Sequence, residues 1–167
     1  ELTEILGILH QQISIRERDL QVRWFSGISG IQNAFRDFYS QKNEGDFRHF
    51  ENTETYNYIG EEFAEEMIKL RIKNNKFNKC IVIGNLNRQI WYQNQIKQDK
   101  KQLRKTIIIS EKIYPFRANI AASENTVLIF EYEFKPFALL IENPHIASSI
   151  RSIHQMIWDR YLPNDDE

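Results

Sequence analysis

Residues 79–84, KCIVIG, and 106–110, TIIIS, are short apolar runs dominated by β-branched side chains. Runs of this length and type read as strands with no solvent face, and such strands need other elements packed over them. The flanking stretches supply those elements. Val22 to Phe25 reads as a further strand, followed by a helix over 27–41 with Ile28, Ile31, Phe35 and Phe38 on one stripe. A loop around Gly45 leads to a weak short strand near Phe47 and Phe50. The spacing of Phe63, Met67 and Leu70 then predicts a helix over 60–74. Residues 85–105 read as a mostly exposed helix. Residues 118–143, ANIAASENTVLIFEYEFKPFALLIEN, read as three strands joined by tight turns at Ser123–Asn125 and Glu133–Pro136. Pro144 opens a last helix with Asn143 as its cap, and Ile146, Ile150, Ile153 and Ile157 form its stripe, with Trp158 and Tyr161 near the end. The fold class expected is α/β (α+β), a mixed β-sheet flanked by helices.

A chain of 167 residues suits one domain with a helical extension. Leu2, Ile5, Leu6, Leu9 and Ile13 fall on one side of a helix over residues 1–18. That helix is either the end of a coiled-coil linker or a helix lying on the domain. The divisions are then 1–18 for the linker, 19–162 for the domain and 163–167 for a disordered tail. Net charge is −1, whereas a nucleic-acid module would be distinctly basic. A single cysteine, Cys80, allows no disulfide within the chain, so a cytoplasmic location is expected. There is no apolar run of membrane-spanning length and no signal peptide, so no membrane partner is expected.

Few residues announce chemistry. A phosphodiesterase of the phospholipase D type needs H-x-K-x-x-x-x-D, and the residues two places after His10, His49, His145 and His154 are Gln12, Glu51, Ala147 and Met156. None is lysine. His49 and Glu51 share one face of a strand, but two ligands are too few for zinc, and a surface pair is the ordinary reading. No metal and no cofactor is expected. Cys80 reads as a small core residue. Phosphate-loop, dinucleotide-binding and nucleophile-elbow patterns are absent. Arg88, Lys97, Lys100, Lys101, Arg104 and Lys105 face only Asp99 in one basic stretch, which reads as a solvated helix face. Trp24, Tyr39, Tyr56, Tyr58, Trp91 and Tyr92 are the aromatics best suited to line a polar-ligand pocket. Glu142 and Asn143 end the last strand, where α/β sheets often bind ligands. At the strand–helix joint, Gly27 permits a sharp turn and Gly30 a close approach to the sheet, with Ser26 as cap. The competing reading holds a ligand or anion there on free backbone N–H groups.

Three stretches resemble one family. VRWFSGISGIQNAFRDFYS resembles the V-R-Y-[YF]-E-G-x-x-G-I segment that opens the C-terminal sensor domain of TrmB-like transcriptional regulators. LRKTIIIS resembles that domain's L-R-E-[IV]-x-[IV]-[LI]-P strand. NTVLIFEYEFKPFALLIENPHIASSIRSIHQMIW resembles its end, a strand closing on I-I-E-[NS] and a helix ending in tryptophan. The resemblance covers about residues 18–162. It implies a phospholipase D-like fold without the catalytic motif, and a winged-helix DNA-binding domain ahead of Glu1. It also implies a homodimer paired through Leu2, Ile5, Leu6, Leu9 and Ile13, and a small polar ligand such as a sugar. The residues implied for that ligand are Trp24, Ser26, Gly27, Ser29, Arg104, Ser110, Glu142 and Asn143. Ser26 and Lys105 stand where the family usually carries Glu, which removes two carboxylates from such a site. The expected function is thus a non-catalytic sensing or dimerisation domain, with DNA reached only through a separate domain. A stand-alone protein-interaction module and a degenerate phosphodiesterase using His49 are the alternatives.

Overall fold

A computed structural model of the chain describes residues 14–17, 19–41, 45–85 and 90–162. The strands are β1 (Ser14–Glu17), β2 (Leu20–Ser26), β3 (Phe47–Asn52), β4 (Asn78–Ile83), β5 (Arg104–Ile109), β6 (Asn119–Ala122), β7 (Thr126–Glu131) and β8 (Phe137–Glu142). The helices are α1 (Gly27–Ser40), α2 (Thr55–Ile59), α3 (Glu61–Lys73), α4 (Ile90–Ile96) and α5 (Pro144–Tyr161). All eight strands form one sheet in the order β1-β2-β8-β7-β6-β3-β4-β5. The two apolar runs lie side by side as β4 and β5, and β3, β4 and β5 are mutually parallel. Every other pairing is antiparallel. The mixed sheet expected from the sequence is therefore present.

Its two faces carry different cores. On one face α1 and α3 pack over Phe25, Phe47, Leu128, Phe130 and Leu140. Phe35 of α1 meets Phe130 edge-on at 4.8 Å between centroids, an arrangement favoured by the ring quadrupoles. On the other face α5 packs Trp158 over Phe50, Ile81, Ile83, Ile107 and Ile109. Near the start of α5, Ala147 meets Ala122 and Val127, where small side chains let the helix sit close to the sheet.

The structure corrects several expectations. Ser14–Glu17 is a strand paired to β2, not the end of a linker helix. Leu2, Ile5, Leu6, Leu9 and Ile13 lie outside the described residues. The strand read as weak, β3, sits between β6 and β4 and is buried at four of its six positions. A short helix, α2, stands where none was expected. Among the described residues of 85–105, the long helix is only α4, followed by turns. Gln95 and Gln102 are buried there, with Gln102 Nε2 donating to Gln95 Oε1 at 2.8 Å. On α5 the buried residues are Ala147, His154 and Trp158, whereas Ile146 and Ile153 are exposed. The isoleucine stripe is half right: Ile150 and Ile157 pack partly buried against the sheet, on the same side as Ala147, His154 and Trp158, and Ile146 and Ile153 lie off that side.

Candidate functional site

β3 alternates its side chains, so Phe47, His49 and Glu51 share the face covered by α1 and α3. The parallel register places Cys80 beside His49, and Thr106 beside Cys80. His49 and Glu51 are 2% and 8% exposed, so this is an interior pair and not the surface pair expected. His49 Nδ1 and Glu51 Oε1 are 3.0 Å apart. His49 Nε2 lies 3.3 Å from the Tyr39 hydroxyl of α1. The Tyr56 hydroxyl of α2 donates to Glu51 Oε2 at 3.3 Å. The Glu51 carboxylate thus ties β3 to α2, and His49 extends the chain of contacts to α1.

Two buried guanidinium groups complete the cluster. Arg71, in the last turn of α3, donates through Nη1 to the carbonyls of Lys76 and Leu103 at 3.1 and 2.8 Å. Arg104, the first residue of β5, donates through Nε to Asp99 Oδ1 at 2.5 Å. The second terminal nitrogen of each, and Asn78 Oδ1, make no hydrogen bond among the described residues. Arg71, Arg104, Asn78, Glu51, Tyr39 and Tyr56 line a cavity of about 30 Å³. That volume admits about one or two water molecules and no organic substrate.

Burial sets the protonation of the cluster. It pushes the Tyr39 and Tyr56 phenols upward, with Glu51 adding to the shift. It also pushes the Cys80 thiol well up, again with Glu51 contributing. Cys80 is therefore a neutral thiol, and a thiol without its thiolate is a poor nucleophile. Burial pulls the Arg71 guanidinium down. For Arg104 burial acts the same way, but the neighbouring Cys80, Tyr56 and Asp99 outweigh it and hold the cation above its usual range. Chemically, the arrangement is an enclosed hydrogen-bond network with spare donors. Among the described residues, no three metal-ligating side chains gather.

This fold has solved counterparts. TrmBL2, an archaeal chromatin protein with a novel mode of DNA binding, matches 95% of this chain with a TM-score of 0.60 and 13% identity. The chain spans 57% of TrmBL2. Polyphosphate kinase from Porphyromonas gingivalis matches 96% of this chain and 28% of its own, with a TM-score of 0.54 and 9% identity. At these identities the likeness is one of fold. No family model and no curated protein matches the chain.

The residues implied for a polar ligand do not converge. Trp24, Ser26, Gly27 and Ser29 gather at the β2–α1 joint. Trp24 stacks on Phe137 with centroids 4.6 Å apart, and its Nε1 donates to Ser26 Oγ at 2.9 Å. Ser26 makes no side-chain cap bond, which corrects its expected role. Gly27 has φ +75°, a conformation that favours glycine, and its N–H donates to the Pro136 carbonyl at 2.7 Å. A Cβ on Gly30 would stand 3.0 Å from the Phe25 carbonyl carbon, so this glycine lets α1 lie against β2. Glu142 is at the opposite end of β2, where it accepts from Arg23 Nη2 at 3.1 Å. Asn143 is a true cap, accepting from the Ile146 N–H at 2.9 Å. Arg104 and Ser110 flank the two ends of β5, and five strands separate β5 from β2. At the usual strand spacing that is roughly 29 Å.

Of the aromatics proposed for a pocket, Tyr39 and Tyr56 enter the cluster. Tyr58 stacks on Tyr132 at 4.3 Å, and the side chains of Trp91 and Tyr92 lie outside the described residues. Arg71 was missed by sequence reasoning, although it falls on the Phe63–Met67 stripe of α3 one turn further on. Lys97, Lys100, Lys101 and Lys105 are exposed as expected of a solvated face, but Arg104 is not part of it.

Proposed function

We propose that this chain is a non-catalytic sensing or dimerisation domain of a TrmB-like transcription regulator. In this reading it has a phospholipase D-like scaffold, and the DNA-binding part lies elsewhere in the gene product. The observation that carries the reading is the likeness to TrmBL2 over 95% of the chain, joined to the three sequence stretches that resemble the family's sensor domain. The absence of H-x-K from every histidine, and the small closed cavity beside His49, support the non-catalytic part. The test compares this chain with the whole gene product. Light scattering should give a dimer for both, and a DNA mobility shift should appear for the whole product alone. A shift by the chain alone, or a monomer for both at all concentrations, overturns the reading.

A stand-alone interaction module is the second reading. It is favoured by the exposed side chains of α5, where Ile146, Ile153 and Met156 face solvent and Met156 is 70% exposed. A gene product without any DNA-binding segment would favour this reading over the first.

A further inference from the structure

A second cavity lies on the face covered by α5, at the carboxyl ends of the three parallel strands. Its walls are Phe50 of β3, Ile81 and Ile83 of β4, Ile109 of β5, Phe116 and Ile157 of α5. The register brings the strand residues together: Phe50 pairs with Ile81, and Ile83 with Ile109. The cavity measures about 330 Å³, against about 30 Å³ for the polar one. Protein interiors hold few voids larger than a water molecule. Small-molecule sites begin at about this volume, and at the carboxyl ends of parallel strands they are common.

Polar groups stand only around this cavity, in Tyr114, Arg160 and Tyr161. Tyr161 beside it pushes the Tyr114 phenol upward. Arg160 is exposed, and no ion pair of its own is present among the described residues. The walls supply no partner for a ring of hydroxyls, so a sugar would leave its polar groups unsatisfied there. A molecule with an apolar body and one anionic group is complementary at both ends.

We propose that this pocket binds a medium-chain carboxylate, its chain against Phe50, Ile81, Ile83, Ile109 and Ile157 and its head at Arg160. Taking about 30 Å³ per heavy atom, as in liquid water, the cavity takes a chain of roughly ten carbons. This site needs no part of the regulatory reading, and its test uses the present chain alone.

The full chain, labelled at isoleucine δ-methyl groups, is titrated with decanoate and followed by NMR. Saturable shifts are expected at Ile81, Ile83, Ile109 and Ile157, with Ile28 and Ile31 on the opposite face unmoved. Decanol should bind about fivefold more weakly, the value of one solvent-exposed ion pair, and Arg160→Gln should remove that difference. Glucose should shift none of these methyls. Ile109→Trp, which fills the cavity, should abolish decanoate binding, with circular dichroism verifying its fold. If it does not fold, the methyl map and Arg160→Gln decide alone. Absence of saturable shifts, shifts on both faces alike, or equal affinity for decanoate and decanol would overturn the proposal. So would shifts that appear on concentration without ligand, which assign the pocket to a second copy. Binding seen only after deletion of residues 163–167 would assign it to the chain's own tail and equally overturn it.

Discussion

Arg71 and His154 are buried polar side chains that serve the fold in opposite ways. Arg71 closes the turn after α3 by donating to the Lys76 and Leu103 carbonyls. Methionine at this position would fill similar space and leave both carbonyls without that donor. Arg71→Met should therefore destabilise the chain by about 2–4 kcal/mol in urea titrations, the usual range for breaking a buried, hydrogen-bonded charge. A loss below about 1 kcal/mol would mean that water takes over those carbonyls. His154 is the opposite case, a titratable group enclosed between Phe50 and Trp158. Burial, with Arg48 beside it, lowers its pKa to about 3. Arg48 on β3 and Lys79 on β4 are the cations on the sheet side, and Arg151 lies one turn earlier on α5. The unfolded chain therefore binds a proton below about pH 6.5 that the folded chain refuses. Stability from this group is complete above that pH and falls, by up to about 1.4 kcal/mol per unit, as pH drops towards 3. His154→Phe removes this component. The stability difference between variant and wild type should shift in the variant's favour by about 2.5 kcal/mol between pH 7 and pH 4.5.

Elements were legible wherever local chemistry dictates them. The apolar runs KCIVIG and TIIIS became β4 and β5: β4 is buried on both faces and needs no alternation, whereas β5, at the sheet edge, buries Ile107 and Ile109 and exposes Ile108, so the expectation of a strand without a solvent face holds for β4 alone. The Asn143–Pro144 pair began α5 because a capping amide and a fixed φ suit a first helical turn. Asn143 also donates through Nδ2 to the Asp19 carbonyl at 2.9 Å, so one residue joins the start of α5 to the β1–β2 turn. Asn143→Ala should cost about 1–2 kcal/mol in thermal or urea unfolding, whereas Asn143→Asp, which keeps the cap, should recover most of it. The elements that were misread lack such local signals. The helix expected over 85–105 stops at Ile96, where the chain turns so that Gln102 folds back on Gln95 of α4 and Arg104 on Asp99, all but Asp99 buried. Polarity there looked like solvent exposure, and periodicity cannot tell a solvated glutamine from a buried, paired one.

At the scale of the molecule, a sheet with helices on both faces leaves its two edges as the weakest parts. β7 and β8 lie in the antiparallel half with neighbours on both sides, whereas β1 and β5 are at the ends of the order. Amide hydrogen exchange should be slowest at Val127, Leu128 and Leu140 and faster by orders of magnitude along the outer side of β5, where Ile108 is exposed. Equal protection across the sheet would mean that a partner strand covers the β5 edge. No described helix is long and apolar enough to cross a membrane.

Composition and pattern alone determined the layered α/β class, the glycine joint between β2 and α1, the meander of β6 to β8 and the capped final helix. Each depends on residues close together in the chain, where backbone preference and side-chain period act directly. The buried polar cluster and the apolar pocket belong to the folded state. The cluster draws on residues from Tyr39 to Arg104, and the pocket on residues from Phe50 to Tyr161. Sheet order and register bring those positions together, and no local pattern encodes them. For the same reason the ligand residues implied by resemblance end up on separate strands: chain motifs place a side chain on an element, but only pairing and packing place elements against one another.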